Sequence, residues 1–189
     1  VTAAPFSTWT PLPGMMEWQN VQIQLIDTPP LNHEHMESEQ FDLIRSADLL
    51  ILMISLQADA PAQLQDSRQI LEQHHINLSC RSAEPPGDKI NVINSILLVI
   101  NKCDDNRFDE DLELLQELIE CDWPMVAVSA STLRNIDVLK KAVFEQLNII
   151  RVYSKPPGQE VNLNQPFVLE RGSTVEEFVA QVHQDFYEK

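Results

Sequence analysis

Two unbroken apolar runs constrain the fold more than any other feature of this sequence. Residues 49–54 and 96–100 consist of six and five consecutive apolar residues, without the alternation of a half-exposed strand. Such runs are typical of parallel strands buried on both faces. Apolar residues at helical spacing follow at 62–74, 109–120 and 135–147, with another short apolar run at 125–128. Strands alternating with helices predict an α/β fold with a parallel sheet.

The first part of the chain predicts an antiparallel hairpin. Apolar and polar residues alternate strictly from residue 21 to residue 25, which is typical of a strand with one exposed face. Gln19 and Asn20 precede this strand and suit a tight turn, because Asn tolerates a positive φ. Residues 15–18 are therefore the expected partner strand. The polar stretch 79–94 contains a Pro-Pro-Gly sequence and predicts an exposed loop.

The pattern changes after residue 148. Strands are predicted at 149–153 and 167–169, with a Pro-Gly turn between them. Ser173 and Glu176 have the spacing of a capping box that opens a final helix. We therefore expect two units, residues 1–148 and residues 149–189. The second is too short to bury a substantial core by itself.

Charge and cysteine usage exclude several classes of protein. The chain has 29 acidic and 13 basic side chains, a net charge of -16. This balance argues against binding DNA or an anionic membrane by charge alone. No apolar run is long enough to cross a bilayer. The three cysteines lack metal-ligand spacing and predict reduced thiols in a cytoplasmic protein.

The residues that follow the run 96–100 suggest a chemistry. They are Asn101, Lys102, Cys103 and Asp104, at the carboxyl end of a predicted parallel strand, where α/β sheets bind ligands. An Asp carboxylate can accept two hydrogen bonds from guanine, one from N1–H and one from the exocyclic amine, whereas adenine offers no such pair. The alternative is an ordinary polar turn, since Asn and Asp favour turns.

Other polar residues lie near the ends of the neighbouring predicted strands. Ser129 and Ala130 follow the run 125–128, and Asp27 ends the alternating strand. Asp27 can hold Mg²⁺ through water, and Thr8 further upstream offers a hydroxyl ligand. The order of these groups along the chain is more specific than any one of them.

These motifs resemble those of GTPases of the Obg/DRG group within the translation-factor class, over nearly the whole chain. The segments 4–8 and 11–15 resemble switch I of that group, and Asp27-Thr28-Pro29-Pro30 resembles its switch II motif. Residues 153–158, 167–169 and 172–175 resemble the start of a TGS domain, a small β-grasp module.

The resemblance implies a P-loop GTPase sheet that binds GTP or GDP with Mg²⁺, followed by part of a TGS domain. It implies that Thr8 and Asp27 lie on the magnesium side and that Pro30 lies on the phosphate side. It also implies a guanine side formed by Asn101, Lys102, Asp104, Ser129 and Ala130.

The chain departs from that pattern in its phosphate-binding parts. None of its four glycines is followed by Lys, so it contains no Walker-type phosphate loop, which the group carries before the segment matching Val1. Pro30 stands where the group usually has Gly, and proline has no N–H with which to sense a γ-phosphate. No residue is identified as catalytic, and we expect this chain alone to be inactive.

Two functions follow as hypotheses. The first is a guanine-nucleotide-binding switch whose complete form hydrolyses GTP slowly and acts with the ribosome or RNA through the TGS module. The second is a docking protein that has lost nucleotide binding, a reading that Pro30 and the absent phosphate loop favour.

Overall fold

The computed structural model describes residues 10–32, 38–78, 92–93, 95–105, 108–119, 121–155, 158, 160, 163–164 and 166–187. The strands are β1 (Leu12–Trp18), β2 (Val21–Asp27), β3 (Leu50–Ser55), β4 (Asn77–Leu78), β5 (Val92–Ile93), β6 (Ile96–Asn101), β7 (Met125–Ala127), β8 (Ile149–Val152) and β9 (Phe167–Glu170). The helices are α1 (Ser38–Ser46), α2 (Ala60–Gln73), α3 (Asp109–Leu118), α4 (Ile136–Gln146) and α5 (Val175–Tyr187).

A parallel sheet with the order β3-β6-β7 forms the centre of the fold. All six residues of the middle strand, β6, are buried, which confirms that the run 96–100 is a strand covered on both faces. In β3, by contrast, Met53 is 50% exposed. This strand lies at the edge of the sheet in the described part of the chain, so its apolar run is less completely covered than that of β6.

The predicted hairpin is confirmed and is longer than expected. Strand β1 pairs with β2 over seven residues, from Leu12↔Asp27 to Trp18↔Val21. Gln19 and Asn20 form the turn with φ values of 48° and 66°, in the left-handed region. Such turns match the twist of the strands they join.

Alternate residues of β6 serve two hydrophobic cores, because successive side chains of a strand point to opposite faces. Ile96, Leu98 and Ile100 belong to a core built with α1, α2 and α3. Leu97 and Val99 belong to a second core built with β2, β7 and α4. The hairpin therefore packs on the parallel sheet without pairing to it.

The helices agree with the predicted stretches to within two residues, apart from one that the sequence analysis missed. Helix α2 begins after Asp59, whose carboxylate accepts a hydrogen bond from the Ala62 amide at 3.0 Å. Helix α1 was not predicted. It buries Phe41 and Ile44 in only nine residues, too short a stretch for a clear helical period.

The C-terminal part consists of the antiparallel pair β8–β9 and helix α5. The predicted cap of this helix is wrong by one residue. Thr174 and Glu177 form the reciprocal bonds of a capping box, at 2.7 Å and 3.3 Å, instead of Ser173 and Glu176. Arg151 also donates to the Gln19 carbonyl at 3.0 Å, which ties this part to the hairpin turn.

The described part of the loop predicted at 79–94 contains strand β5, which pairs in parallel with β4; residues 79–91 and 94 lie outside the described ranges. Cys103 is buried, and its thiol donates to the Ile100 carbonyl at 3.5 Å. Cys121 is disulfide-bonded, so the prediction of reduced thiols is wrong for this residue. None of the described helices has the length and apolar character needed to cross a bilayer.

We expect Leu98→Ala to lower the free energy of unfolding by about 2–5 kcal/mol, because it leaves a cavity beside a fully buried strand. Urea denaturation followed by circular dichroism measures this loss. Leu118→Ala is the matched control, since Leu118 is 65% exposed and its truncation should cost about 0.5 kcal/mol or less. Equal losses in the two variants would contradict a core centred on β6.

Candidate functional site

The candidate site lies where β6 and β7 end, at the carboxyl edge of the parallel sheet. Two backbone hydrogen bonds join the segments that leave these strands. The Val128 amide donates to the Ile100 carbonyl at 2.8 Å, and the Cys103 amide donates to the Val128 carbonyl at 3.0 Å. These bonds bring the segment 101–104 beside the segment 129–130.

Asn101 links the two segments through its side chain. It is buried, and its Oδ1 accepts hydrogen bonds from the Lys102 amide at 2.8 Å and from the Ala130 amide at 3.2 Å. The Asn101 side chain therefore ties the two segments together. Lys102 itself is exposed and has a φ of 68°, so the chain turns sharply as soon as the strand ends.

Asp104 faces the second segment and receives three side-chain hydrogen bonds. Its Oδ1 accepts from Ser129 Oγ at 2.7 Å and from Ser131 Oγ at 3.0 Å. Its Oδ2 accepts from Gln57 Nε2 at 3.3 Å, and the same nitrogen lies 3.3 Å from the Lys102 carbonyl. The exposed carboxylate therefore lies between the segment 129–131 and the turn after β3.

Hydrogen bonding holds this carboxylate in its ionised form. The hydroxyl of Ser129, followed by that of Ser131, lowers the pKa of Asp104 below its ordinary value, because both donate to the charged form. Partial desolvation and the nearby Asp105 charge oppose this shift, and the Gln57 amide adds to it. Asp104 is therefore an acceptor at any pH near neutrality.

Three residues that bond to the loop 101–105 were not among the predicted site residues: Ser131, Gln57 and Arg134. Ser131 lies two residues beyond Ser129, so the sequence shows a second hydroxyl close by. It does not show that this hydroxyl points towards Asp104. Gln57 comes from the turn after β3 and has no sequence signal at all. Arg134 fixes the other side of the loop, because its guanidinium donates to the Asp105 carbonyl at 2.7 Å and to the Cys103 carbonyl at 3.3 Å.

A further polar atom lies at the same edge of the sheet. Ser55, the last residue of β3, is the register partner of Asn101. Its Oγ is buried and has no hydrogen-bond partner within the part of the chain that the structure describes. An unsatisfied buried hydroxyl costs about 1–3 kcal/mol. Such atoms are uncommon in native folds and call for a physical reason.

The residues assigned to the magnesium and phosphate side are not brought into this cluster by any described contact. Thr8 lies outside the described residues. Asp27 is exposed at the end of β2, on the hairpin sheet, and Pro30 is exposed just beyond it. Within the described ranges, no three His, Cys, Asp or Glu side chains are grouped closely enough to hold a metal ion.

A cavity of about 430 Å³ lies elsewhere, between the hairpin turn and the C-terminal part. Its lining includes Glu17, Asn20 and Pro166 but none of the residues at the ends of β6 and β7. The chemistry described above therefore belongs to the sheet edge and not to this cavity.

Comparison with known proteins points to nucleotide-binding relatives. Residues 1–102 match the model of a family described as 50S ribosome-binding GTPase. An uncharacterized GTP-binding protein of Methanocaldococcus jannaschii is 24% identical over 250 residues, covering 98% of this chain and 62% of that protein. Developmentally-regulated G-protein 1 of Arabidopsis thaliana is 24% identical over 238 residues, covering 94% of this chain and 58% of that protein.

Ribosome-interacting GTPase 1 of Saccharomyces cerevisiae is 28% identical over 127 residues, covering 61% of this chain and 33% of that protein. The chain thus spans less than two thirds of the length of these relatives. Among solved structures, a bacterial selenocysteine-specific elongation factor is 20% identical with a TM-score of 0.49, covering 82% of this chain and 27% of that one.

We expect Ser129→Ala to raise the pKa of Asp104 towards that of an ordinary aspartate, since it removes the shortest bond to the carboxylate. The pH dependence of the Asp104 side-chain carboxyl ¹³C shift measures this change. Ser46→Ala, which replaces an exposed serine bonded to the Leu43 carbonyl, should leave the pKa unchanged.

The same bond sets a pH dependence of stability. Because folding lowers this pKa, the ionised carboxylate stabilises the folded state above the pKa of an unfolded aspartate. That stabilisation is lost as the pH falls through the lower pKa of the folded state.

If Ser129→Ala left the pKa of Asp104 where it is in the unmodified chain, the Ser129 hydroxyl would not be the cause of the lowered pKa.

Proposed function

This chain belongs to the 50S ribosome-binding GTPase family, and we propose on that basis that it is the guanine-recognising part of a nucleotide-dependent switch. Asp104 accepts guanine N1–H and the exocyclic amine, while Lys102 lies along the face of the base. Asn101, Ser129 and Ala130 hold the loop in shape.

The observation that carries the proposal is the ionised Asp104 carboxylate at the ends of two parallel strands, hydrogen-bonded to Ser129 and Ser131. Hydrogen bonds to a charged group contribute about 1.5–3 kcal/mol each, so two of them suffice to separate guanine from adenine. The buried Ser55 hydroxyl without a described partner, at the same edge, supports the presence of a ligand or segment there.

The phosphate end belongs to other residues of the proposed switch. We assign Mg²⁺ to Asp27 and Thr8, because an exposed carboxylate at a strand end suits an ion that keeps several waters and binds the substrate phosphates. Pro30 has no N–H to offer a γ-phosphate. In the complete protein we propose binding of GTP and GDP with slow hydrolysis.

We propose the boundaries 1–148 for the nucleotide-binding unit and 149–189 for the start of a TGS module. The β8–β9 pair followed by α5 supports a β-grasp beginning. The name of the yeast relative supports a ribosomal or RNA-associated partner and, with it, a cytoplasmic location. Residues 149–189 carry four basic and six acidic side chains, so such docking would rely on shape more than on charge.

Asp104→Asn tests the guanine site. Asn presents an amide NH2 donor where guanine also presents a donor, so we expect the affinity of the 189-residue chain for GDP to fall at least about tenfold. The affinity for ADP should not change, and xanthosine diphosphate should be affected far less than GDP. Titrations followed by amide NMR shifts measure all three affinities.

Asp105→Asn is the matched control, because it removes the same charge from the next residue. If Asp104→Asn bound GDP as well as the unmodified chain does, the guanine site would be wrong. An unmodified chain that bound neither GDP nor ADP would instead favour the second function, a docking protein that no longer binds nucleotides, consistent with Pro30.

We expect the 189-residue chain alone to release no phosphate from GTP. It contains no glycine followed by lysine, and so no loop of the kind that binds β- and γ-phosphates. A phosphate-release assay measures this, with Asp104→Asn as the control for a contaminating phosphatase. Release that is clearly faster from the unmodified chain than from the variant would overturn the expectation.

A further inference from the structure

The Asp104 carboxylate is almost fully occupied by the protein itself. A carboxylate has about four acceptor positions, two on each oxygen. Both positions on Oδ1 are taken by hydroxyls, and Oδ2 has a bond from Gln57. Guanine would bring two donors to this group where one position is open, so the binding of the base requires that at least one protein donor leave.

The three donors differ in how firmly they are held. Ser129 is fully buried, and its Oγ also accepts the Thr132 amide at 3.1 Å, so its bond to Asp104 belongs to the fixed framework. Ser131 and Gln57 are both exposed, and each can rotate into solvent.

Each exposed donor also has a second acceptor within reach. A hydroxyl has one hydrogen, and Ser131 Oγ lies 3.0 Å from Ser129 Oγ as well as 3.0 Å from Asp104. Gln57 Nε2 lies 3.3 Å from the Lys102 carbonyl as well as from Asp104. Either side chain can release the carboxylate and keep a hydrogen bond to the protein.

We propose that Gln57 and Ser131 are place-holding donors that satisfy Asp104 when no base is present and give way to the two guanine donors. The proposal rests on the guanine site proposed above. Gln57 and Ser131 then lower the affinity for guanine nucleotides, because their hydrogen bonds to Asp104 must break before guanine can bind. Adenine has no pair of donors for Asp104 and therefore does not displace them.

Gln57→Ala and Ser131→Ala test this exchange. Each variant removes one competitor, so we expect the affinity for GDP to rise by about two- to tenfold, the range of one modest hydrogen bond. The affinity for ADP should stay unchanged. Amide NMR titrations of the 189-residue chain with GDP and ADP measure both, with Gln65→Ala and Ser46→Ala as matched controls at exposed positions.

The outcomes separate this inference from the proposed function. If GDP affinity were unchanged or lower in both variants while Asp104→Asn still abolished GDP binding, the guanine site would stand and the place-holding role would be wrong. An equal rise for GDP and ADP would also overturn the role, because it would indicate a wider pocket. GDP binding that survives Asp104→Asn, or is absent from the unmodified chain, would overturn both.

Discussion

The fold depends on burying β6 on both of its faces. Its odd and even residues belong to different hydrophobic cores, so one strand joins α1, α2 and α3 on one side to α4 and the hairpin on the other. A strand held in this way cannot slide by one residue, because the slip would exchange its two sets of side chains. The position of Asn101 at its end is therefore fixed by this packing as well as by the hydrogen bonds of its own side chain.

The polar network begins where that packing ends. Asn101 satisfies the Lys102 and Ala130 amides, and Arg134 satisfies the carbonyls of Cys103 and Asp105. The backbone hydrogen bonds of the sheet stop where the strand ends. These side-chain bonds take their place, because buried backbone groups need hydrogen-bond partners. The loops at the two strand ends are thus joined by hydrogen bonds, and the proposed guanine site needs its groups held in place in this way.

The sequence predicted the parts of this arrangement that follow from periodicity. The run 96–100, the hairpin with its turn at Gln19 and Asn20, and the grouping of Asn101 with Ala130 all follow from local patterns and from the geometry of parallel strands. Gln57, by contrast, reaches Asp104 from a turn 47 residues earlier in the chain, and no local pattern encodes such a contact. The Thr174 cap was missed for a different reason, since Ser173 and Glu176 had the same spacing one residue earlier.

A chain with a net charge of -16 repels phosphates as a whole, so nucleotide affinity here must come from local groups. The described edge of the sheet supplies acceptors for a base but no cluster of free cations for phosphates: the Arg134 guanidinium is already bonded to two carbonyls. In the proposed switch, base recognition and phosphate binding are therefore physically separate tasks. We propose the ends of β6 and β7 for base recognition, and the selectivity between bases can be measured without phosphate binding.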